Sequence, residues 1–408
     1  MSYISRHAEK TVKTLSGMFG SVLVTGARQV GKTTMLQHLH PEIRMMTFDD
    51  AATLAAAANA PELFFDYNPP PLFLDEVQKA PDLFTEMKQI IDASRKKGLF
   101  YLTGSQQFHL MEKVSDSLAG RIGIISLCGL SLREEMAVNY TEPFVPTMKH
   151  FEKIAKQNLP TICARKLWEK IHRGSMPALV VNPDYDWSLY YGSYVRTYIE
   201  RDVRSITAVE NELKFQTFMS VLSARTGQML NMADVANLVG ISQVTAHRWL
   251  SILKSSNIVY LLRPYFTNAT KRAVKTPKLY FTDTGLAAYL AKWNTPEALR
   301  AGAVAGAFFE NYVVMEVAKS YFNAGIAQPP LYYYRDKDKN EIDLLINCEG
   351  KLHPLEIKKK GVPTKDDTKA FRYVDTLDLP RGLGGIICLS DKLMPLCEQD
   401  SVIPVAHI

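Results

Sequence analysis

The strongest constraint on the fold of this chain is a short apolar segment that runs into a loop bracketed by two glycines. Residues 21–25 (SVLVT) are rich in β-branched side chains and predict a buried strand. The next nine residues, GARQVGKTT (Gly26 to Thr34), lead through Lys32 and Thr33 into a segment with helical periodicity. This is the spacing GxxxxGK[ST] between a strand and a helix. It predicts an α/β domain built on a parallel sheet.

The chemistry of this loop predicts binding of a nucleoside triphosphate. Backbone N–H groups of such a loop, and those at the start of the following helix, converge on one point and bind phosphate oxygens. We expect Lys32 to reach the β- and γ-phosphates and the Thr33 hydroxyl to ligate Mg²⁺. The residues predicted to line the nucleotide are Gly26, Ala27, Arg28, Gln29, Val30, Gly31, Lys32, Thr33 and Thr34. A chance match in a glycine-containing turn is the alternative, which the flanking strand and helix patterns disfavour.

Composition adds broad limits. A length of 408 residues, 47% hydrophobic and 22% charged, predicts a soluble protein of two to four domains. The net charge of +6 is weak support for a nucleic-acid partner. Five cysteines without a CxxC pair argue against a zinc site or a disulfide framework and predict a cytoplasmic location. The N-terminus lacks the apolar core of a signal peptide and no run of 18 apolar residues occurs, so we expect no membrane segment.

A second motif places carboxylates beside the phosphates. The apolar strand at residues 71–74 ends in Asp75 and Glu76. Because the carboxyl ends of parallel strands meet at the nucleotide crevice, both side chains are expected there. We expect Asp75 to hold Mg²⁺ through water and Glu76 to polarise the water that attacks the γ-phosphate. An exposed acidic turn is the alternative.

A third strand, at residues 99–102, ends in polar residues that could sense the γ-phosphate. Ser105 is the favoured sensor, with Thr103 and Gln106 as rivals. A capped turn before the next helix explains the same residues equally well.

Arg121 precedes a further apolar strand at residues 122–127. We expect it to act as an arginine finger on the nucleotide of a neighbouring subunit, which implies a homo-oligomer such as a hexameric ring. An ion pair with a surface acid is the alternative.

These motifs, GARQVGKTT, LFLDEVQ, YLTGSQQ, SLAGRI and LSLREE, resemble the prokaryotic AAA+-like ATPases that carry a C-terminal domain of unknown function. The resemblance continues through PALV (177–180), YIERDVRSI (198–206) and KLYFTDTGLAAYL (278–290), nearly the whole chain. One departure is RGSMPALV, where the family pattern has a glycine-aromatic pair before the proline; no catalytic residue is affected. The resemblance implies an AAA+-like ATPase core over residues 1–140 with ATP and Mg²⁺ as cofactors.

Residues 141–206 show helical periodicity and predict a lid packed on the nucleotide domain. Arg196, Arg201 and Arg204 lie on the polar side of that pattern. One of them could touch the nucleotide, but a solvated face shared with Glu200 and Asp202 is favoured.

Residues 207–295 predict a winged-helix domain. Asn231 caps a short helix that ends at Gly240, and Ser242 caps the next helix. In that second helix a buried stripe recurs at helical spacing, formed by Ala246, Trp249, Leu250 and Leu253. This is the helix-turn-helix pattern, whose second helix enters the major groove of DNA.

Two strands follow, at residues 261–266 and 278–282, and no acidic residue lies between Leu261 and Lys278. Basic residues here predict phosphate contacts with duplex or branched DNA, Arg263 and Lys278 among them. The residues assigned to DNA are Gln243, Thr245, His247, Arg248, Lys271, Arg272 and Lys275. Winged helices also serve as protein-contact modules, which is the alternative.

Residues 296–408 contain a predicted hairpin with an aspartate on its first strand and ExK on its second. This resembles the core of the PD-(D/E)xK nucleases. The resemblance implies that Asp343 and Glu356 share a Mg²⁺ ion, that Glu310 completes its ligands, and that Lys358 positions or deprotonates water. A solvated hairpin edge is the alternative, because the pattern is short.

The sequence therefore predicts an α/β AAA+-like ATPase with a helical lid, a winged helix and a C-terminal nuclease-like α/β domain. Motor action on branched or replicating DNA is the first hypothesis for its function. An ATP-gated switch that assembles with protein partners is the second, and an ATP-regulated Mg²⁺-dependent nuclease is the third.

Overall fold

The computed structural model describes residues 3–104, 117–157, 159, 161–198, 212–266 and 275–408. The chain forms two compact units. The first comprises Met1–Leu130, Ser255–Asn257 and Tyr321–Ala327, and the second Ser131–Lys254, Ile258–Ser320 and Gln328–Ile408.

The first unit is built on a five-stranded parallel sheet. Its strands are β1 (Ser21–Thr25), β2 (Arg44–Thr47), β3 (Leu72–Asp75), β4 (Phe100–Gly104) and β5 (Ile122–Ser126). They lie in the order β2-β3-β4-β1-β5, and every neighbouring pair is parallel. All residues of β1, β3 and β4 are buried, which explains their unbroken apolar character. The α/β parallel sheet predicted from the sequence is confirmed.

Among the residues that the structure describes, the first unit contains the helices α1 (Ala8–Met18), α2 (Lys32–Leu39), α3 (Ala51–Asn59), α4 (Pro61–Tyr67) and α5 (Leu83–Ser94). A 3₁₀ turn covers Val77–Lys79. Helix α5 buries Leu83, Phe84, Met87 and Ile91, which recur at helical spacing, in the main apolar core of this unit. This packing fixes the sheet, and with it the strand ends that surround the phosphate loop.

Most of the helices in the described part of the chain lie in the second unit. They are α6 (Leu132–Glu135), α7 (Met148–Ala155), α8 (Ala164–Arg173), α9 (Pro177–Val181), α10 (Trp187–Tyr198), α11 (Glu212–Ser223), α12 (Met232–Val239), α13 (Gln243–Ser255), α14 (Thr284–Leu290), α15 (Pro296–Ala301) and α16 (Ala305–Asn323). The segment predicted as a lid, residues 141–206, falls in this unit, where α8 packs against α14 and α15. Its role as a lid stays a prediction. Arg201 and Arg204 lie outside the described residues.

The second unit also holds an eight-stranded sheet. Its strands are β6 (Val259–Pro264), β7 (Lys278–Phe281), β8 (Leu331–Arg335), β9 (Glu341–Cys348), β10 (Lys351–Lys358), β11 (Gly384–Cys388), β12 (Met394–Pro395) and β13 (Asp400–Pro404). Two 3₁₀ segments, Lys365–Thr376 and Val405–His407, accompany them. The order is β12-β13-β11-β10-β9-β8-β6-β7.

In this order, the hairpin predicted within residues 207–295 belongs to the same sheet as the C-terminal strands. Strands β6 and β7 pair antiparallel, as the hairpin pattern predicts, but β6 also pairs in parallel with β8. The boundary predicted between residues 295 and 296 therefore does not separate two sheets. Backbone pairing of Arg263 with Tyr332 and of Pro264 with Tyr333 makes the hairpin the edge of the C-terminal sheet.

Two of the family-like motifs meet at Asp283. Its carboxylate accepts hydrogen bonds from the Ser175 backbone N–H at 2.7 Å and from the Tyr191 hydroxyl at 2.6 Å. Gly174 lies beside them at φ 84°, and a Cβ atom there would stand 2.6 Å from an Asp283 carboxylate oxygen. The motifs RGSMP and TDTGL thus form one structural junction.

Among the described helices, none has the length and apolar character needed to cross a bilayer.

Candidate functional site

The phosphate loop depends on glycine at its first position. Gly26 has φ 143°, and a Cβ atom there would lie 2.1 Å from the Leu127 carbonyl oxygen. Gly31, at φ 89°, adopts the left-handed conformation that starts α2. Both positions require conformations that side chains rarely adopt, so the two glycines of the motif have separate structural reasons. The N-cap residue Gly31 has no side chain to bond the first N–H groups of α2, which a helix cannot pair within itself.

Lys32 lies folded over this loop. Its Nζ donates to the Gly26 carbonyl oxygen at 3.1 Å and to the Ala27 carbonyl oxygen at 2.8 Å. The side chain is buried, at 7% exposure. The backbone of the loop therefore holds the ammonium group at the position where phosphate oxygens are expected.

Asp75, at the end of β3, is the centre of a hydroxyl cluster. Its Oδ1 accepts hydrogen bonds from Thr33 at 2.7 Å and from Thr103 at 2.5 Å, and its Oδ2 accepts one from Thr47 at 3.3 Å. These residues end β2, β3 and β4 or open α2, so the parallel sheet brings them together. Thr33 and Asp75, the two residues predicted to hold Mg²⁺, are therefore in direct contact, and their role toward Mg²⁺ stays a prediction. A carboxylate and a hydroxyl at this separation suit a hard cation such as Mg²⁺.

Glu76 directly follows Asp75 in an uncommon backbone conformation. Its φ of 56° and ψ of 42° are left-handed, and its backbone N–H donates to Thr103 Oγ1 at 3.3 Å. Such a conformation is costly for a residue with a side chain and is common at functional sites. The Gln78 amide donates to the Glu76 carboxylate.

Arg6 is the residue of this site that the sequence did not reveal. Its guanidinium is buried and donates to the carbonyl oxygens of Val30 at 2.8 Å, Cys128 at 2.8 Å and Gly129 at 3.3 Å. It therefore ties the phosphate loop to the end of β5. A single arginine ahead of the first helix carries no pattern that predicts this contact.

Of the three residues predicted as candidates for the γ-phosphate sensor, one lies among the described residues. Ser105, the favoured residue, and its rival Gln106 lie outside the described residues. Thr103, the other rival, is buried and contacts Asp75.

Arg121 forms an ion pair with Asp92, which is the alternative that the sequence allows beside an arginine finger. Its guanidinium binds Asp92 through two bonds, Nε to Oδ1 at 2.6 Å and Nη2 to Oδ2 at 2.8 Å. The hydrogen bond from Arg121 lowers the pKa of the Asp92 carboxyl. Action of Arg121 on another subunit stays a prediction, and would require this ion pair to open.

The two capped helices of the predicted helix-turn-helix are present, and the winged-helix assignment stays a prediction. Asn231 caps α12 through the N–H groups of Ala233 and Asp234, Gly240 ends it at φ 70°, and Ser242 accepts from the Thr245 N–H at 3.0 Å. In α13 the buried stripe is as predicted. Of the residues assigned to DNA, Gln243, His247, Arg248 and Lys275 are exposed and Thr245 is half-buried. Lys271 and Arg272 lie outside the described residues.

Lys278 differs from its expected role as a phosphate contact. It is 3% exposed, and its Nζ lies 2.9 Å from Glu310 and 2.6 Å from Glu341. Its side chain therefore points toward acidic groups of α16 and β9 in the same unit. It is not available to DNA in this structure.

The residues of the nuclease-like pattern lie on β9, β10 and α16, and lysines are among the groups they contact. Lys358 Nζ lies 2.5 Å from Glu356 and 3.5 Å from Asp343. Burial, with the Asp343 charge, raises the pKa of both Glu356 and Glu310. Within the described ranges, no group of three or more His, Cys, Asp or Glu side chains could hold a metal ion. The metal set of Glu310, Asp343, Glu356 and Lys358 stays a prediction.

Comparison with known proteins agrees with the geometry of the first unit. Residues 19–136 match the family model described as an AAA domain, and residues 164–297 and 305–408 match two domains of unknown function, DUF8612 and DUF4143. The chain is 28% identical to the uncharacterized proteins Rv2008c of Mycobacterium tuberculosis and Mb2031c of Mycobacterium bovis, over 95% of this chain and 80% of theirs.

Two solved structures of other proteins are similar to this chain. The Walker-type ATPase PABY2304 of Pyrococcus abyssi is 12% identical, with a TM-score of 0.45, over 69% of this chain and 94% of that one. The Holliday junction branch migration motor RuvB of Thermotoga maritima is 12% identical, with a TM-score of 0.29, over 62% and 88%. The family match and the loop geometry together define residues 19–136 as an AAA-type P-loop domain.

Proposed function

We propose that this chain binds ATP with Mg²⁺ at the phosphate loop and hydrolyses it. The observation that carries the proposal is the meeting of Thr33, Asp75 and Glu76 at one edge of the parallel sheet, directly beside residues 26–34. A phosphate-binding loop, a cation-binding pair and a carboxylate base are the parts that phosphoryl transfer to water needs.

Each residue has a definite task in this hydrolysis. The loop N–H groups and Lys32 bind the phosphates, and the ammonium exchanges its bonds to Gly26 and Ala27 for bonds to phosphate oxygens. Thr33 and Asp75 would hold Mg²⁺, which when bound offsets negative charge on the phosphates. Glu76 accepts a proton from the attacking water while the water oxygen bonds to the γ-phosphorus. At the same time, the bond between the γ-phosphorus and the β–γ bridging oxygen breaks, and ADP leaves.

Two substitutions test the proposal. Lys32→Ala should abolish ATP binding, and Glu76→Gln should bind ATP but lower kcat by about 100-fold or more, because the base is lost. Exposed residues of the same unit provide matched controls, Lys13→Ala and Glu62→Gln. The measurements are binding of a fluorescent ATP analogue and phosphate release with Mg²⁺. A wild-type chain that neither retains nor consumes ATP contradicts the proposal.

We further propose that DNA is the partner and that ATP turnover drives motion on it, with a homo-oligomer as the working form. Support comes from α13, which exposes Gln243, His247 and Arg248 on the side opposite its buried stripe. Arg248→Ala should weaken binding and reduce the slope of log K against log salt by about 1, if it contacts a phosphate. Lys166→Ala, at an exposed lysine of α8, is the control.

The assay is a gel-shift and ATPase panel on duplex, single-stranded, forked and four-way DNA. Turnover stimulated by one of these forms supports the motor. Turnover indifferent to all of them, without DNA affinity at low salt, contradicts it.

A second candidate function is an ATP-gated switch that assembles with protein partners. The observation that favours it is the exposure of two apolar side chains on α12 and α13. Leu238 of α12 is 59% exposed and Val244 of α13 is 80% exposed. A protein contact would cover such side chains. This candidate predicts slow turnover and ATP-dependent complexes. Val244→Ser with Leu238→Ser should dissolve those complexes, as measured by light scattering, without changing ATP binding.

A further inference from the structure

Gln78 follows the proposed base Glu76 in a tight turn that brings the two side chains together. The left-handed conformation of Glu76 ends β3, and Val77–Lys79 form a 3₁₀ turn. Within this turn, the Gln78 side-chain N–H donates to Glu76 Oε2. The amide thus restricts where the Glu76 carboxylate can point.

The same side chain has an acceptor without a partner. Gln78 Oε1 is buried, and no group among the described residues hydrogen-bonds to it. Buried amide oxygens are nearly always paired, so an orphan at a functional site is suited to accept a hydrogen bond from a bound water or ligand. The amide orientation is set by chemistry, because only its nitrogen can face a carboxylate.

The turn that carries Gln78 is anchored on both sides. At its start, the Glu76 N–H donates to Thr103 Oγ1 at 3.3 Å. At its end, Lys79 pairs with Asp49 and donates to the Phe48 carbonyl oxygen at 3.3 Å. Gln78 is therefore held in place before any ligand binds, as residues that orient a reaction must be.

We propose that Gln78 is a second catalytic residue of the hydrolysis. Its N–H orients the Glu76 carboxylate, and its Oε1 accepts a hydrogen bond from the attacking water. One proton of that water passes to Glu76, the other hydrogen stays bonded toward Gln78, the water oxygen bonds to the γ-phosphorus, and ADP leaves with the bridging oxygen. This inference rests on the proposed ATP hydrolysis.

The first test is Gln78→Met, which keeps the side-chain length and removes both hydrogen-bonding atoms. We expect kcat to fall about tenfold or more while KM and the Kd for ATP change less than about twofold, because the lost interactions act on water and not on nucleotide. The chain offers a matched control in Gln89→Met, since Gln89 donates to Glu86 at 3.3 Å on the exposed side of α5. This control should leave all three constants unchanged.

The second test separates action through Glu76 from general damage to the fold. In the Glu76→Gln background, Gln78→Met should cause little further loss of kcat, because the two residues act on the same water. Loss by an equal factor in both backgrounds overturns the proposal, as does a Gln78→Met kcat within about twofold of wild type.

Two results would leave the first test without an answer: a Gln78→Met variant that does not fold, and a wild-type chain that does not hydrolyse ATP. If Gln78→Met does not fold, Gln78→Asn keeps the amide but withdraws it by one carbon, and unchanged kcat in that variant overturns the proposal. If the wild-type chain does not hydrolyse ATP, the proposed function fails, and this inference fails with it. Active wild type with active Gln78 variants overturns this inference alone.

Discussion

Arg6 offers the sharpest test of how the phosphate loop is held. Its guanidinium donates to Val30 of the loop and to Cys128 and Gly129 beyond β5. Arg6→Met keeps most of the apolar stem and removes every one of these donors. The loop then loses its connection to the segment that follows β5.

The expected magnitude follows from the bonds. Two of them, at 2.8 Å, are charge-assisted, and such bonds contribute about 1.5–3 kcal/mol each. Relief from burying a charge offsets part of this. We therefore expect the free energy of unfolding of the first unit to fall by about 3 kcal/mol, which corresponds to a melting temperature lower by roughly 10 °C.

The effect on the ligand should accompany the effect on stability. If about half of the lost free energy came from loop order, ATP affinity would fall by about tenfold. Thermal melts with and without ATP, and titration with a fluorescent ATP analogue, measure both quantities. Arg44→Met, an exposed arginine at the start of β2, is the control. Wild-type stability and wild-type Kd in Arg6→Met would refute the argument.

Three further predictions concern individual residues. Gly26→Ala should abolish ATP binding and lower the free energy of unfolding of the first unit by about 3 kcal/mol or more, because the added Cβ atom meets the Leu127 carbonyl oxygen. The control Gly17→Ala has open space around the new Cβ atom and should be neutral or stabilising. Thermal melts and nucleotide titration compare the two variants. Burial lowers the pKa of His150 to about 4 from 6.5, so the unfolded chain takes up the proton first and about 3 kcal/mol of stability should be lost as pH falls from 6.5 to 4. Denaturant unfolding at several pH values measures this loss, and an equal loss in His150→Asn would exclude His150 as its source. Asp283→Ala should cost about 3 kcal/mol in a denaturant titration, because buried donors lose a charged acceptor; an unchanged midpoint would show that the junction contributes no stability.

The sequence predicts a structural feature well where the residues that form it are close together in the chain. The strand before Gly26, the left-handed Gly31 and the caps Asn231 and Ser242 act on their immediate neighbours, so their positions follow from residue type. The meeting of Thr33 with Asp75 was also predictable, because strands of a parallel sheet end at one edge.

Contacts between distant residues were not predictable in this way. Arg121 could be assigned either to a finger or to an ion pair, and only the fold places Asp92 opposite it. Lys278 belongs to a basic segment by sequence, yet strand pairing buries it against Glu310 and Glu341. The partner of a charged side chain depends on which surfaces the chain brings together.

The sequence by itself determined the P-loop, the acidic strand end and the two capped helices, because each depends on backbone conformations and side chains within a few residues. Only the tertiary structure decided that β6 and β7 extend the C-terminal sheet and that Arg6 holds Val30. Those outcomes depend on hydrogen bonds across 24 residues or more, which no local pattern specifies.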